Sequence, residues 1–319
     1  MPKQVQHDFD PFETASFIFT SASTVFKSGF ISIIGKPNAG KSSLMNALLG
    51  EKLSIITPKA QTTRHRIRGI ITTKKYQVVF SDTPGIIETK YQLHQSMMNT
   101  VNEALEDADV LLLLSDLSKP FKEFEEVLNK TSTLKVPRIA VLNKIDLVNE
   151  KQLKSFQTET EKHQPLKSII AISAVEQFHL DLLLKQIVDL IPQQPAFFPE
   201  DTLTDRSERF FITEMIREKI FLQYQKEVPY SAEVAIVEWD DQKELTKLRV
   251  EIAVERESQK GILLGSKGSA IKQMGIAARA DIERFLERKI YLELTVKVKP
   301  GWRNDERMLK YYGYDKKKN

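Results

Sequence analysis

The chain has 319 residues, enough for about two domains of ordinary size. It is 41% hydrophobic and 28% charged with a net charge of +4, and no apolar run reaches the roughly 18 residues of a membrane-spanning helix. There is no cysteine, which excludes disulfides and thiolate metal sites and fits a reducing cytoplasm.

Residues 1–28 are rich in Phe, Ser and Thr, lack periodicity, and read as an extension of unknown role. Asp8, Asp10 and Glu13 speak against a signal sequence or transit peptide there. From Gly29 strands and helices alternate. FISIIG (30–35) is the short apolar run of a buried strand, and KSSLMNALLG (41–50) has helical spacing with Gly50 as a stop. Further apolar runs fall at 76–82, 108–116, 138–144 and 167–173, with helix-like segments between most of them. That alternation predicts one α/β domain over 29–191, a mostly parallel sheet with helices on both faces. PQQPAFFPEDTLTD (192–205) cannot continue a helix and reads as a linker. The order then changes. A helix (207–225) precedes two strands (232–239, 247–256), a helical turn, a glycine loop and a long helix (262–289), and a last strand (290–299). This is a small α+β domain over 206–302, followed by a helix and basic tail at 303–319. Residues 200–257 hold 15 acidic and 9 basic side chains, a net of −6, whereas 258–319 hold 7 and 15, a net of +8. A basic C-terminal fifth suits a polyanion or equally a solvated surface.

Gly35-Lys36-Pro37-Asn38-Ala39-Gly40-Lys41-Ser42 fits G-x-x-x-x-G-K-[ST] between a strand and a helix. Such a loop turns backbone N–H groups onto phosphates at a helix N-terminus. Lys41 would reach the β- and γ-phosphates, and Ser42 would ligate magnesium. Asn143-Lys144-Ile145-Asp146 follows the apolar strand RIAVL, and the Asp146 carboxylate can accept two hydrogen bonds from the guanine edge. A backbone N–H at Ser173–Ala174 would take the guanine O6. GTP rather than ATP is therefore expected, with all ligands at the carboxyl edge of the sheet.

Asp82-Thr83-Pro84-Gly85 supplies a carboxylate for magnesium and an N–H for the γ-phosphate. Gln61-Thr62-Thr63-Arg64-His65 lies in a loop suited to ordering on the triphosphate, and Thr63 would complete the magnesium shell. Ile86 stands where a Ras-like pattern has the glutamine that orients the attacking water. An apolar side chain cannot do that.

GKPNAGKS, QTTRH, DTPG, NKID and ISA resemble the five motifs of a translation-factor-type GTPase, most closely the Era branch of the TrmE-Era-EngA group. Gly265-Ser266-Lys267-Gly268 between two helical segments, in an α-β-β-α-α-β order, resembles a type II KH domain. The phrases SERFFITEMIREKIF, EVPYS and GWRNDE also look like Era, and the likeness covers roughly 30–314. It implies a slowly hydrolysing GTPase that uses GTP/GDP and Mg2+ and assists assembly of the small ribosomal subunit. It also implies binding of small-subunit ribosomal RNA near its 3′ end, with Lys260, Lys267 and Lys272 facing phosphates and Ile262 and Leu263 under bases. Related GTPases with an apolar residue after DxxG imply a potassium ion held by Asn38 and carbonyls at 57–61, in the role of an arginine finger. A monomer in the cytoplasm is expected. Two alternatives remain: a GTP-bound RNA scaffold with negligible turnover, and a signalling GTPase that touches the inner face of the cell membrane through its basic tail.

Overall fold

The computed structural model describes residues 25–163, 165–241 and 245–314. Most of the 1–28 extension and the KKK of the tail lie outside them. Among the described residues, no helix is long and apolar enough to cross a membrane.

The first domain runs β1 (Lys27–Gly35), α1 (Lys41–Leu49), β2 (Ile67–Thr72), β3 (Tyr76–Asp82), α2 (Gln92–Glu106), β4 (Val110–Asp116), α3 (Phe121–Thr131), β5 (Arg138–Asn143), α4 (Glu150–Glu161), β6 (Ser168–Ala171) and α5 (Leu180–Leu190). Its six-stranded sheet has the order β2-β3-β1-β4-β5-β6. Only β2 is antiparallel, pairing with β3 at the edge. Every residue of β4 and β5 is buried, as strands covered on both faces must be. One face packs α1 and α5 through Leu44, Met45, Leu183 and Ile187; the other packs α2 and α3 through Met97, Val101, Phe124 and Val127. The parallel strands all end at the same edge, and that edge carries the motifs.

The second domain runs α6 (Glu208–Gln223), α7 (Val228–Ser231), β7 (Glu233–Asp241), β8 (Thr246–Val254), α8 (Glu257–Leu264), α9 (Ser269–Leu286) and β9 (Ile290–Val298). Its sheet order is β7-β8-β9, with β8 and β9 parallel. Residues alternate in and out along the first half of β8, so one face of this sheet packs on helices and the other faces water.

Two segments are placed where periodicity gives no guidance. The 192–205 stretch lies along the first domain: Ser28 Oγ donates to the Pro195 carbonyl at 2.6 Å, Gln77 Nε2 to Phe198 at 2.9 Å, and Ile70 N to Leu203 at 2.9 Å. Last comes α10 (Glu306–Tyr311), which folds back on the first domain. Trp302, Leu309 and Tyr314 join the α2–α3 side of its core, and the Trp302 indole donates to Ser231 at 2.9 Å. The two domains are thus fastened together by the 192–205 stretch between them and by the 302–314 segment.

Candidate nucleotide and RNA sites

The phosphate loop connects β1 to α1. Gly40 has φ 97°, and a Cβ there would lie 2.4 Å from Asn143 Nδ2, so only glycine fits. Lys41 is buried and donates to the Gly35 and Lys36 carbonyls at 3.3 and 3.1 Å. Burial lowers its pKa to about 8, with Asp82 pulling the other way.

Ser42, Thr63 and Asp82 come together although they are far apart in sequence. Ser42 Oγ is 2.7 Å from Asp82 Oδ2 and 2.9 Å from Thr63 Oγ1, and Thr63 Oγ1 is 3.4 Å from the same carboxylate oxygen. Asp82 Oδ1 is buried with no hydrogen-bond partner. Burial raises the Asp82 pKa, against the pull of Ser42 and Lys41. An orphaned carboxylate oxygen beside two hydroxyls is a hard-oxygen donor set, and it fits magnesium.

The base-side motif is tied to the loop. Asn143 Nδ2 donates to Ala39 O at 2.9 Å. Lys144 Nζ donates to Asn38 O at 3.0 Å and to Asp116 Oδ2 at 2.6 Å. Burial pushes the Asp116 pKa up, but bonds from Lys144 and Ser118 outweigh it and hold the carboxylate below its ordinary range. Asp146 lies exposed on a short turn (Ile145–Leu147), open to a base. One expectation changes. The Ala174 N–H donates to Asn143 Oδ1 at 3.1 Å and the Ser173 N–H to Phe178 O at 3.3 Å. A guanine O6 would have to share the Ala174 donor with Asn143, and Ser173 does not supply it.

Lys41, Ser42, Thr63, Asp116 and Lys144 border a cavity of about 430 Å³, which Ile56, Thr57, Pro58 and Gln61 also line. The Gly85 backbone reaches the cavity, and the Ile86 N–H donates to Gly35 O at 3.2 Å while its side chain packs on the core. Asn38 Nδ2 meets the Pro58 carbonyl at 3.0 Å, so the phosphate loop and the threonine loop touch at the point assigned to potassium.

The loop expected to be a free switch is anchored at several points. Thr62 Oγ1 donates to Lys59 O at 2.7 Å. Lys59 Nζ donates to the Phe221 and Tyr224 carbonyls at the end of α6, and cations belong at a helix C-terminus. Arg64 is 2% exposed, bonds Ala232, Pro229 and Tyr230 carbonyls, and pairs with Glu233 at 2.8 Å. His65 stacks on Tyr314 with ring centroids 4.3 Å apart. Burial first, then Arg206, Arg217 and Arg64, hold its pKa well below 6.5, so it is neutral. Neither Arg64 nor His65 reaches the nucleotide cavity: both are joints to the second domain. Lys59, on the α6 carbonyls, and Glu233, paired with Arg64, carry no sequence signal, because contacts between residues far apart in the chain have no local pattern.

On the second domain, Gly265–Gly268 forms a tight turn between α8 and α9. Gly265 has φ 68°, and a Cβ there would sit 2.6 Å from Ala270 Cβ. Ser266, Lys267 and Lys272 are exposed, and Lys260 is half-buried 4.0 Å from Glu257. Ile262 is 54% exposed, but Leu263 is fully buried in the domain core and cannot lie under a base. A groove of about 290 Å³ lies between α9 and β9, lined by Lys272, Gly275, Ile276, Arg279 and Tyr291. Ile276 and Tyr291 are more than half exposed, which is unusual for such side chains and suits stacking on bases. Their exposure follows from the fold, so sequence reading missed them.

A family model described as 50S ribosome-binding GTPase matches residues 30–144, and a KH-domain model matches 225–303. GTPase Era of Ruminiclostridium cellulolyticum is 42% identical over 296 residues, 92% of this chain and 99% of that protein. The chain belongs to the Era GTPase family. The chloroplastic GTPase ERA-like protein of Arabidopsis thaliana is 40% identical over 296 residues, 91% of this chain and 69% of that one. A crystal structure of Era in complex with MgGDPNP and nucleotides 1506–1542 of 16S ribosomal RNA superposes with a TM-score of 0.88 at 39% identity, covering 91% of this chain and all of that one. A variant of Aquifex aeolicus Era bound to GDP.AlF4− gives 0.86 at 39% identity with the same coverage. The fold expected from the sequence, a G domain followed by a KH domain, is the Era fold.

Proposed function

We propose that this chain binds GTP with magnesium and hydrolyses it slowly. We further propose that it binds small-subunit ribosomal RNA near its 3′ end through the Gly265–Gly268 turn and the α9–β9 groove, as an assembly factor of the small ribosomal subunit. The convergence of Ser42, Thr63 and the unpartnered Asp82 oxygen carries the hydrolytic part. Magnesium there would neutralise charge on the β- and γ-phosphates. Lys41 would leave its two loop carbonyls for the phosphates, Gly85 N–H would hold a γ-oxygen, and the Asp146 carboxylate would pair with the guanine edge. The RNA in the Era complex supports the choice of partner, and the small subunit is favoured over the large because that RNA is 16S.

Nucleotide state would reach the RNA groove through the threonine loop. Thr63 faces the magnesium donors, while Lys59 and Arg64 on either side grip the second domain. Losing the γ-phosphate would free Thr63 and slacken both grips. A potassium ion between the two loops would replace the Asn38 Nδ2–Pro58 O hydrogen bond, with the Pro58 carbonyl and Asn38 Oδ1 as oxygen ligands. Single-turnover hydrolysis in KCl and in NaCl tests that point, and equal rates in both salts refute it. Hydrolysis of GTP by the full chain, with fluorescence-anisotropy binding of a 3′-terminal small-subunit RNA oligonucleotide, tests the main reading. A chain that binds GTP and RNA without turnover would be the scaffold instead.

A further inference from the structure

Most polar side chains at the γ-phosphate end of the cavity are already engaged. Asn38 holds the Pro58 carbonyl, Lys41 holds two phosphate-loop carbonyls, and Thr57 and Thr62 hold each other at 2.6 Å. Ser42 and Thr63 meet at Asp82. Gln61 differs. It lines the same cavity, and its side-chain amide makes no hydrogen bond within the described residues. It belongs to the loop before the paired threonines and is distant in sequence from Gly85.

Its backbone is also unusual. Gln61 has φ 58°, in the left-handed region that glycine or asparagine enters at little cost and glutamine does not. A residue selected for the turn alone would be glycine. A strained side-chain-bearing residue that faces a ligand cavity points to work done by the side chain. The loop around it is fixed on both sides: Lys59 holds α6 and Thr63 holds the Ser42–Asp82 pair. Two residues from each anchor, a long polar side chain is pre-organised over the cavity.

We propose that Gln61 is a catalytic residue, its amide oxygen accepting a hydrogen bond from the water that attacks the γ-phosphorus. This rests on the GTPase reading above. The water oxygen forms the new P–O bond, and the bond from phosphorus to the β–γ bridging oxygen breaks. GDP leaves with the bridging oxygen, the water's proton ends on the released phosphate, and Gln61 is unchanged. Gln61 thus does from one side what Ile86 cannot do from the other.

Gln61→Gly is the decisive variant because glycine relaxes the backbone while removing the amide. The single-turnover rate is expected to fall by about 10²-fold, the scale of a lost positioned proton partner. Affinities for GDP and a non-hydrolysable GTP analogue should stay within about twofold, and the thermal midpoint should be equal or higher because a strained φ is relieved. A Gln61→Gly rate close to wild type overturns the proposal. So does a parallel loss of analogue affinity and rate, which would mean that Gln61 only shapes the loop. If the wild-type chain itself fails to hydrolyse GTP, the GTPase reading falls first, and that result cannot be confused with the other two.

Discussion

Lys41 and Lys267 are the same residue type put to opposite uses. Lys41 is 6% exposed, bonded to backbone carbonyls, and shifted by burial to a pKa of about 8. Lys267 stands in water on a left-handed turn with φ 50°. The same contrast extends to their surroundings. The nucleotide cavity is built from side chains bonded in advance, so it accepts one shape of polyanion in one register. The proposed RNA groove offers open apolar faces and solvated cations, so it would follow a flexible strand with an affinity that depends on salt. A site fixed in advance suits a chemical step, and a solvated one suits a partner that must come and go.

The largest expected effect breaks the nucleotide side alone. Lys41→Ala should lower single-turnover GTP hydrolysis by roughly 10²–10³-fold, because a fixed charge is lost where phosphate charge develops. Anisotropy should find RNA binding in GDP unaltered. Next, Arg64→Ala attacks the joint between the sites. It strands the buried Glu233 carboxylate, which also accepts from Tyr314, and should cost about 3–5 kcal/mol in urea unfolding. On the RNA side, Lys267→Glu should weaken oligonucleotide binding by about tenfold and reduce the slope of log affinity against log salt by about one unit. Its RNA-free GTPase rate should match wild type. The smallest effect sharpens the contrast of the two lysines. Lys41 is pulled from 10.5 to about 8, so the nucleotide-free protein loses that proton as pH rises through 8. Phosphate oxygens would restore the charge, so binding GTP at pH 8.5 should take up part of a proton, and at pH 6.5 none from this group. Calorimetry in buffers of different ionisation enthalpy reads this directly.

The nucleotide site was legible in the sequence because its parts are local. A phosphate loop needs glycines at fixed offsets, and the motifs sit at consecutive strand ends of one sheet, so chain order predicts space. Asn38, Lys41, Ser42, Thr63 and Asp82 accordingly converge as spacing suggests. What failed was whatever depends on a partner distant in the chain. The Ala174 amide is claimed by Asn143, 31 residues earlier. Leu263 and Ile262 are neighbours in an apolar run, and only the fold decides which points into the core. Residues 303–314 read as a helix following the second domain, yet Leu309 and Tyr314, with Trp302, join the first domain's core. Arg64 and His65 read as switch residues by position, and only the fold shows that they also tie the loop to Glu233 and Tyr314.

The loop that carries Lys59, Thr63 and Arg64 would couple the nucleotide site to the RNA groove. Measuring the affinity of a 3′-terminal small-subunit RNA oligonucleotide for the wild-type chain, saturated first with magnesium and a non-hydrolysable GTP analogue and then with GDP, tests this coupling most directly. RNA binding is expected to be tighter in the analogue state, where Thr63 is held at Ser42 and Asp82. Equal affinities in the two states would contradict it.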